Sequence, residues 1–173
     1  MAEDSLEASP FDEGQAAAQD TVQDGGPADA LEQARGEARA RALPYAGGVT
    51  PAQAWRLVSG GAAVLLDVRS AEERKFVGHV PHSLHVAWAT GTALTRNPRF
   101  AREVEARVKD KNAVLLLLCR SGKRSAAAAE VLAKAGYANA FNVLEGFEGE
   151  LDARQHRGSA DGWRYRGLPW VQD

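Results

Sequence analysis

Val114-Leu-Leu-Leu-Leu-Cys119-Arg-Ser-Gly-Lys-Arg-Ser125-Ala-Ala-Ala-Ala is the stretch that decides how the 173-residue chain is read. Val114 to Leu118 is the most apolar run in the sequence. Strands buried on both faces have this composition, so the run predicts a central strand. Ser125 to Ala135 is rich in Ala, carries Val131 and Leu132, and stops at Gly136. That pattern predicts a helix with a glycine stop. Strand and helix are joined by a short basic loop: Cys119, Arg120, Ser121, Gly122, Lys123 and Arg124.

The same alternation continues on both sides. Pro51 to Val58, with Thr50 as cap and Pro51 in the first turn, predicts a short helix stopped by Gly60-Gly61. Ala62 to Val68 predicts a buried strand. Ser70 to Phe76 predicts a helical turn, with Ser70 and Glu73 at capping-box spacing. Leu84 to Val86 predicts a short strand. Residues 88–96 are read as an extended loop. Pro98 to Val108, with Phe100, Val104 and Val108 on one face, predicts an amphipathic helix. Ala140 to Leu144 predicts a strand and Phe147 to Ala153 a helix. The aromatic end (Trp163, Tyr165, Trp170) predicts an irregular cap packed back on the domain. Strands alternating with helices argue for an α/β domain with a mainly parallel sheet.

Hydrophobic residues make up 45% and charged residues 25% of the chain, ordinary values for a globular protein. The net charge of −2 gives no ground for nucleic-acid or anionic-membrane binding. No apolar run approaches the roughly 18 residues of a membrane helix. The net charge averages two unlike regions. Residues 1–43 hold ten acids against three bases, a net of −7; residues 44–173 hold 13 acids against 18 bases, a net of +5. The first region is read as an acidic, low-hydrophobicity tail, disordered or partly helical, with a helix from Asp29 to Ala42 capped by Asp29. The second is read as the folded domain. The acidic start, with no apolar stretch after it, matches neither a signal peptide nor a transit peptide, so a cytoplasmic location is expected.

Cys119 is the only cysteine. A single thiol excludes an internal disulfide, a dithiol redox pair and a multi-thiolate zinc site. His82 and His85 lie three apart with no evident further ligand, so neither metal nor cofactor is expected. Cys119 ends the predicted central strand, and ligands of open α/β sheets bind at the carboxyl ends of strands. Gly122 permits unusual backbone angles. A loop curling into a helix can turn its N–H groups inward, and the helix adds its positive end. Arg120, Lys123 and Arg124 add full charges. Together these favour a thiolate over a thiol and would also hold an anion.

At this loop the sequence resembles the rhodanese family of sulfurtransferases, whose active-site loop looks like Cys119 to Ser125. Asp67-Val68-Arg69-Ser70, then Glu73, then Gly78-His79-Val80-Pro81, is similar to the family's Asp-Val-Arg and Gly-His-Ile-Pro motifs. Leu144-Glu145-Gly146-Phe147, followed by Gly162-Trp163 and Gly167-Leu168-Pro169-Trp170, is similar to the family's ending. The resemblance implies a rhodanese-like domain with a central, mainly parallel, five-stranded sheet flanked by helices. It implies a thiosulfate or persulfide sulfurtransferase in which Cys119 takes a sulfane sulfur as a persulfide and passes it to cyanide or a thiol, free or on a protein. Donor binding is assigned to Arg120, Ser121, Gly122, Lys123, Arg124 and Ser125, with Lys123 and Arg124 foremost. Arg69 is the further candidate, its alternative being an ion-pair network with Asp67. One departure is His82, which stands where the family often has Gly.

Two other functions are weighed. A carrier or interaction module would hold the persulfide with little turnover. Cys-dependent phosphatases and arsenate reductases use five residues between Cys and Arg. Here four, Arg120 to Lys123, separate Cys119 from Arg124, and Leu118 precedes the Cys.

Overall fold

A computed structural model describes residues 25–173. Five parallel strands form one sheet in the order β1-β7-β6-β2-β3. They are β1 (Gly47–Val49), β2 (Val64–Asp67), β3 (Leu84–His85), β6 (Leu115–Leu118) and β7 (Ala140–Val143). The helices are α1 (Pro27–Ala40), α2 (Pro51–Ser59), α3 (Ala71–Val77), α4 (Phe100–Arg107) and α5 (Lys123–Lys134). β4 (Ala89–Thr90) and β5 (Thr95–Arg96) form a small antiparallel hairpin within the stretch read as a loop.

The central strand is β6, and every one of its residues is buried. Side chains alternate between faces along a strand, so β6 feeds two cores. Leu115 and Leu117 pack with Leu66, Phe100, Val104 and Leu132 on one side. Leu116 and Leu118 pack with Leu57, Phe141, Phe147 and Trp163 on the other. Full burial of each leucine contributes about 1.5–3 kcal/mol, which is why this run is apolar without interruption. Cys119 follows in the first core and is 1% exposed.

Residues 27–40, assigned from sequence to the acidic tail, form α1 and bury Leu31, Ala34 and Ala38. The helix joins the core beside β1. Its cap is Gly26 rather than Asp29, and the Asp29 carboxylate instead accepts the Gly26 N–H. The disorder expected of the tail's first part concerns residues 1–24, which lie outside the described residues. Strand β1 has no signal in the sequence because two of its three residues are glycine.

The helix expected over 147–153 does not form. The N–H groups of Phe147, Glu148 and Gly149 donate to the carbonyls of Cys119 and Arg120, and that of Glu150 donates to Asp161. The backbone there braces the loop after β6, so its donors are unavailable for helical bonds. The aromatic end does pack back: Trp163 is fully buried and its indole N–H donates to Pro169 O. Among the described residues no helix is long and apolar enough to cross a membrane.

Candidate active site

Cys119 leaves β6 at the carboxyl edge of the sheet, and the chain turns at once into α5. The turn is made at Gly122, whose φ of 95° lies in the left-handed region. No side chain caps α5 there, so the first N–H groups of the helix have no side-chain acceptor. Its first residue is Lys123, two positions earlier than the sequence predicts. The Gly122 N–H donates to Cys119 Sγ at 3.1 Å. The Ser125 hydroxyl lies 3.1 Å from the same sulfur and 2.5 Å from Asn142 Oδ1. Asn142 Nδ2 donates to Gly122 O at 3.1 Å, tying β7 to the loop. Cys119, Ser125 and Asn142 are all buried.

Gly146 supports the loop from behind. A Cβ there would stand 2.5 Å from the backbone of Arg120 and Ser121, so only glycine allows this approach. Ser121 is half-buried in the same loop.

The basic residues are used in different ways. Arg124 forms a two-armed ion pair with Glu73 of α3, at 2.8 and 2.6 Å. The hydrogen bond that Arg124 donates to Glu73 is the main cause that raises the Arg124 pKa. Burial opposes ionisation of Glu73. Hydrogen bonds from Arg124 and the Ser70 N–H, with the charges of Arg124 and Arg69, outweigh it and hold the carboxyl at about 2. The Lys123 side chain is 81% exposed and lies 3.7 Å from Glu150. Arg120 has no ion pair or side-chain hydrogen bond among the described residues, and its Nε is buried without a partner. Of the two residues placed foremost for donor binding, Arg124 is thus engaged internally and Lys123 reaches into solvent.

Arg69 sits at the end of the neighbouring strand and is fully buried. Its N–H and Nε donate to Asp67 Oδ1 at 3.0 Å, and Nη2 donates to Asp67 Oδ2 at 2.7 Å and to Gly78 O at 2.8 Å. Arg74 adds a bond to Asp67 at 2.9 Å. His85 contacts Arg69 O at 2.7 Å. A carbonyl only accepts, so His85 carries its proton on Nε2. The Arg69 guanidinium also lies 4.1 Å from the centre of the Phe147 ring. This is the network alternative, and it braces the site through Phe147, whose N–H donates to Cys119 O. His82 has a φ of 62°, the conformation that glycine usually supplies.

Sequence reasoning missed two supports of the sulfur, Asn142 and the Glu73 clamp on Arg124. Glu73 was read as a capping residue and as part of the family motif, not as a partner of Arg124; it does cap, by accepting the Ser70 N–H. Asn142, a polar residue inside an apolar strand run, is the signal that was there to be used.

A family model for the rhodanese-like domain matches residues 50–152. An uncharacterized protein of Rickettsia conorii is 36% identical over 115 residues, covering 66% of this chain and 87% of that protein. The thiosulfate sulfurtransferase GlpE of Actinobacillus succinogenes is 29% identical over 121 residues, covering 70% of this chain and 86% of its own. The crystal structure of Rv0390 from M. tuberculosis superposes with a TM-score of 0.68 at 47% identity, covering 75% of this chain and 99% of that one. With a buried cysteine loop at the edge of a five-stranded parallel sheet and a family match over most of the folded domain, the chain belongs to the rhodanese-like family.

Proposed function

We propose that this protein is a sulfurtransferase that moves a sulfane sulfur from thiosulfate or a persulfide to a thiophilic acceptor through a Cys119 persulfide. The observation that carries the reading is the lone thiol held by the Gly122 N–H at 3.1 Å, followed in the chain by Arg120, whose guanidinium has no internal acceptor. In the first half-reaction the Cys119 thiolate attacks the outer sulfur of thiosulfate. A new S–S bond forms, the donor S–S bond breaks, and sulfite leaves with the bonding pair. In the second, cyanide or a thiolate takes the outer sulfur and Cys119 recovers its electron pair. The two halves predict ping-pong kinetics.

Arg120 is the residue we assign first to the donor anion, because an unpaired guanidinium keeps its full donor set for a ligand. Lys123 adds charge at the mouth. Arg124, clamped by Glu73, holds the loop to α3. Gly122 and Ser125 face the sulfur itself. The test is thiocyanate formation from thiosulfate and cyanide, beside Cys119→Ala. Activity is expected only in the parent protein, and equal activity in both overturns the reading.

A second reading, a persulfide carrier with slow turnover, draws on the 1% exposure of Cys119. A buried persulfide is shielded from stray reductants. Slow thiocyanate formation with fast transfer to a protein thiol would favour it over the first.

A further inference from the structure

We propose that Asn142 is a positioning residue that claims the Ser125 proton, so that the resting Cys119 is held as a thiol donating to Ser125. The proposal concerns the sulfur-carrying role given to Cys119 above and rests on that reading for its functional meaning. The hydrogens available in this cluster fix the direction of each bond. Gly122 O is a carbonyl and can only accept, so the Asn142 group facing it at 3.1 Å must be the NH₂. The amide orientation is therefore fixed, and its oxygen faces Ser125 Oγ at 2.5 Å. Two oxygens this close require a proton between them, and only Ser125 has one to give. That leaves Ser125 facing Sγ with a lone pair at 3.1 Å. A lone pair suits an S–H and opposes an S⁻.

The chain then runs in one direction, from Cys119 S–H to Ser125 O–H to Asn142 Oδ1, and from the Asn142 NH₂ to Gly122 O. When the thiol loses its proton, the Gly122 N–H is the donor that remains. For Ser125 to supply a second, its hydroxyl must rotate away from Asn142. The Asn142 oxygen then loses its partner in a buried site, which is costly. Asn142 thus opposes the anion while fixing the loop that stabilises it.

Charged groups also stand in the elements around this loop. They are Arg120 in the loop, Lys123 and Arg124 on α5, Glu73 of α3 on Arg124, and the Asp67–Arg69 pair ending β2. None of them is altered in the variants below.

Because Cys119 is the only cysteine, ultraviolet thiolate absorbance against pH, differenced against Cys119→Ser, reports this group alone. Asn142→Leu, close in volume, should move the midpoint down by about one pH unit, a tenfold gain in thiolate below the midpoint. Ser125→Ala in the parent protein should cause no upward shift. Ser125→Ala added to Asn142→Leu should move the midpoint back up, since the freed hydroxyl then donates to sulfur. An upward shift from Ser125→Ala in the parent protein overturns the proposal, as does an unmoved midpoint in Asn142→Leu. Should Asn142→Leu fail to fold, the Ser125→Ala measurement alone decides. Thiocyanate formation by the parent protein reports separately on sulfur transfer. Its absence alongside the expected shifts would remove the enzymatic reading and leave the proton arrangement standing.

Discussion

The ends of two adjacent strands make an instructive pair. β2 and β6 are hydrogen-bonded neighbours, with Asp67 in register with Leu118, and each runs into a helix through a short loop. At the end of β2 the polar groups form a closed network, with Arg69 Nη1 the guanidinium nitrogen left buried without a partner. Asp67 accepts from Arg69 and Arg74, Arg69 also donates to Gly78 O, and Ser70 and Glu73 form a reciprocal cap on α3. At the end of β6 the helix starts at an uncapped glycine, and Arg120 has no internal acceptor. One strand end closes on itself and gives rigidity. The other leaves donors open, and open donors are what bind an incoming anion. The Glu73–Arg124 clamp joins the two.

If the β2 end is structural, breaking it should cost more stability than any change in the β6 loop. Asp67→Ala leaves a buried guanidinium without its carboxylate and should destabilise the fold by about 3–5 kcal/mol. Urea unfolding measures this, and Cys119→Ala should lose much less. The reverse ordering would mean that the Cys119 loop, not the Asp67 network, is the keystone.

The β6 end should respond in kinetics instead. If Arg120 binds the donor anion as proposed, Arg120→Ala would remove charge-assisted hydrogen bonds worth about 1.5–3 kcal/mol, and kcat/KM for thiosulfate should fall roughly 10- to 100-fold. Lys123→Ala, at an exposed position, should change it by no more than a few-fold. A larger loss from Lys123 than from Arg120 would reverse the assignment of the donor anion.

The clamp between the two ends gives a pH signature. Glu73 titrates at about 2 in the folded protein against an ordinary 4.5. A lowered carboxyl contributes stability that is fully present above its unfolded value and is lost as pH falls towards its folded value. The stability difference between the parent protein and Glu73→Gln should therefore be constant above about pH 5 and shrink from there towards pH 2. A difference unchanged across that window would show that the clamp contributes no ionic stability.

The smallest effect is expected at His82. In the left-handed conformation a β-branched side chain is strained. His82→Val should lower stability by about 1–2 kcal/mol, with His82→Gly tolerated. Equal behaviour of the two would place the strain elsewhere.

These two ends also mark how far the sequence could be read. The apolar run before Cys119 and the capping residues around α2 and α3 are local signals, and each element formed close to its expected bounds. The five-stranded sheet followed from the alternation together with the family resemblance. What was not legible depended on contacts between distant segments. Phe147 to Ala153 is read as a helix, but the N–H groups of Phe147 to Gly149 are drawn to Cys119 and Arg120. Gly47-Gly48 gives no strand signal and becomes β1 by pairing with β7 and lying under α1. Arg124 looked like an anion binder because Glu73, 51 residues away, is not adjacent in sequence. Charge was also averaged too coarsely. The whole acidic excess of the first 43 residues lies in 1–24, with seven acids and no base, while the stretch that includes α1 is balanced.

The proposed reaction requires Cys119 itself to carry sulfur. Incubation with thiosulfate followed by intact-protein and peptide mass spectrometry tests it directly. One added sulfur on the peptide bearing Cys119, removed by cyanide and absent from Cys119→Ala, is the predicted result. An unmodified Cys119 in protein that still forms thiocyanate would contradict the account.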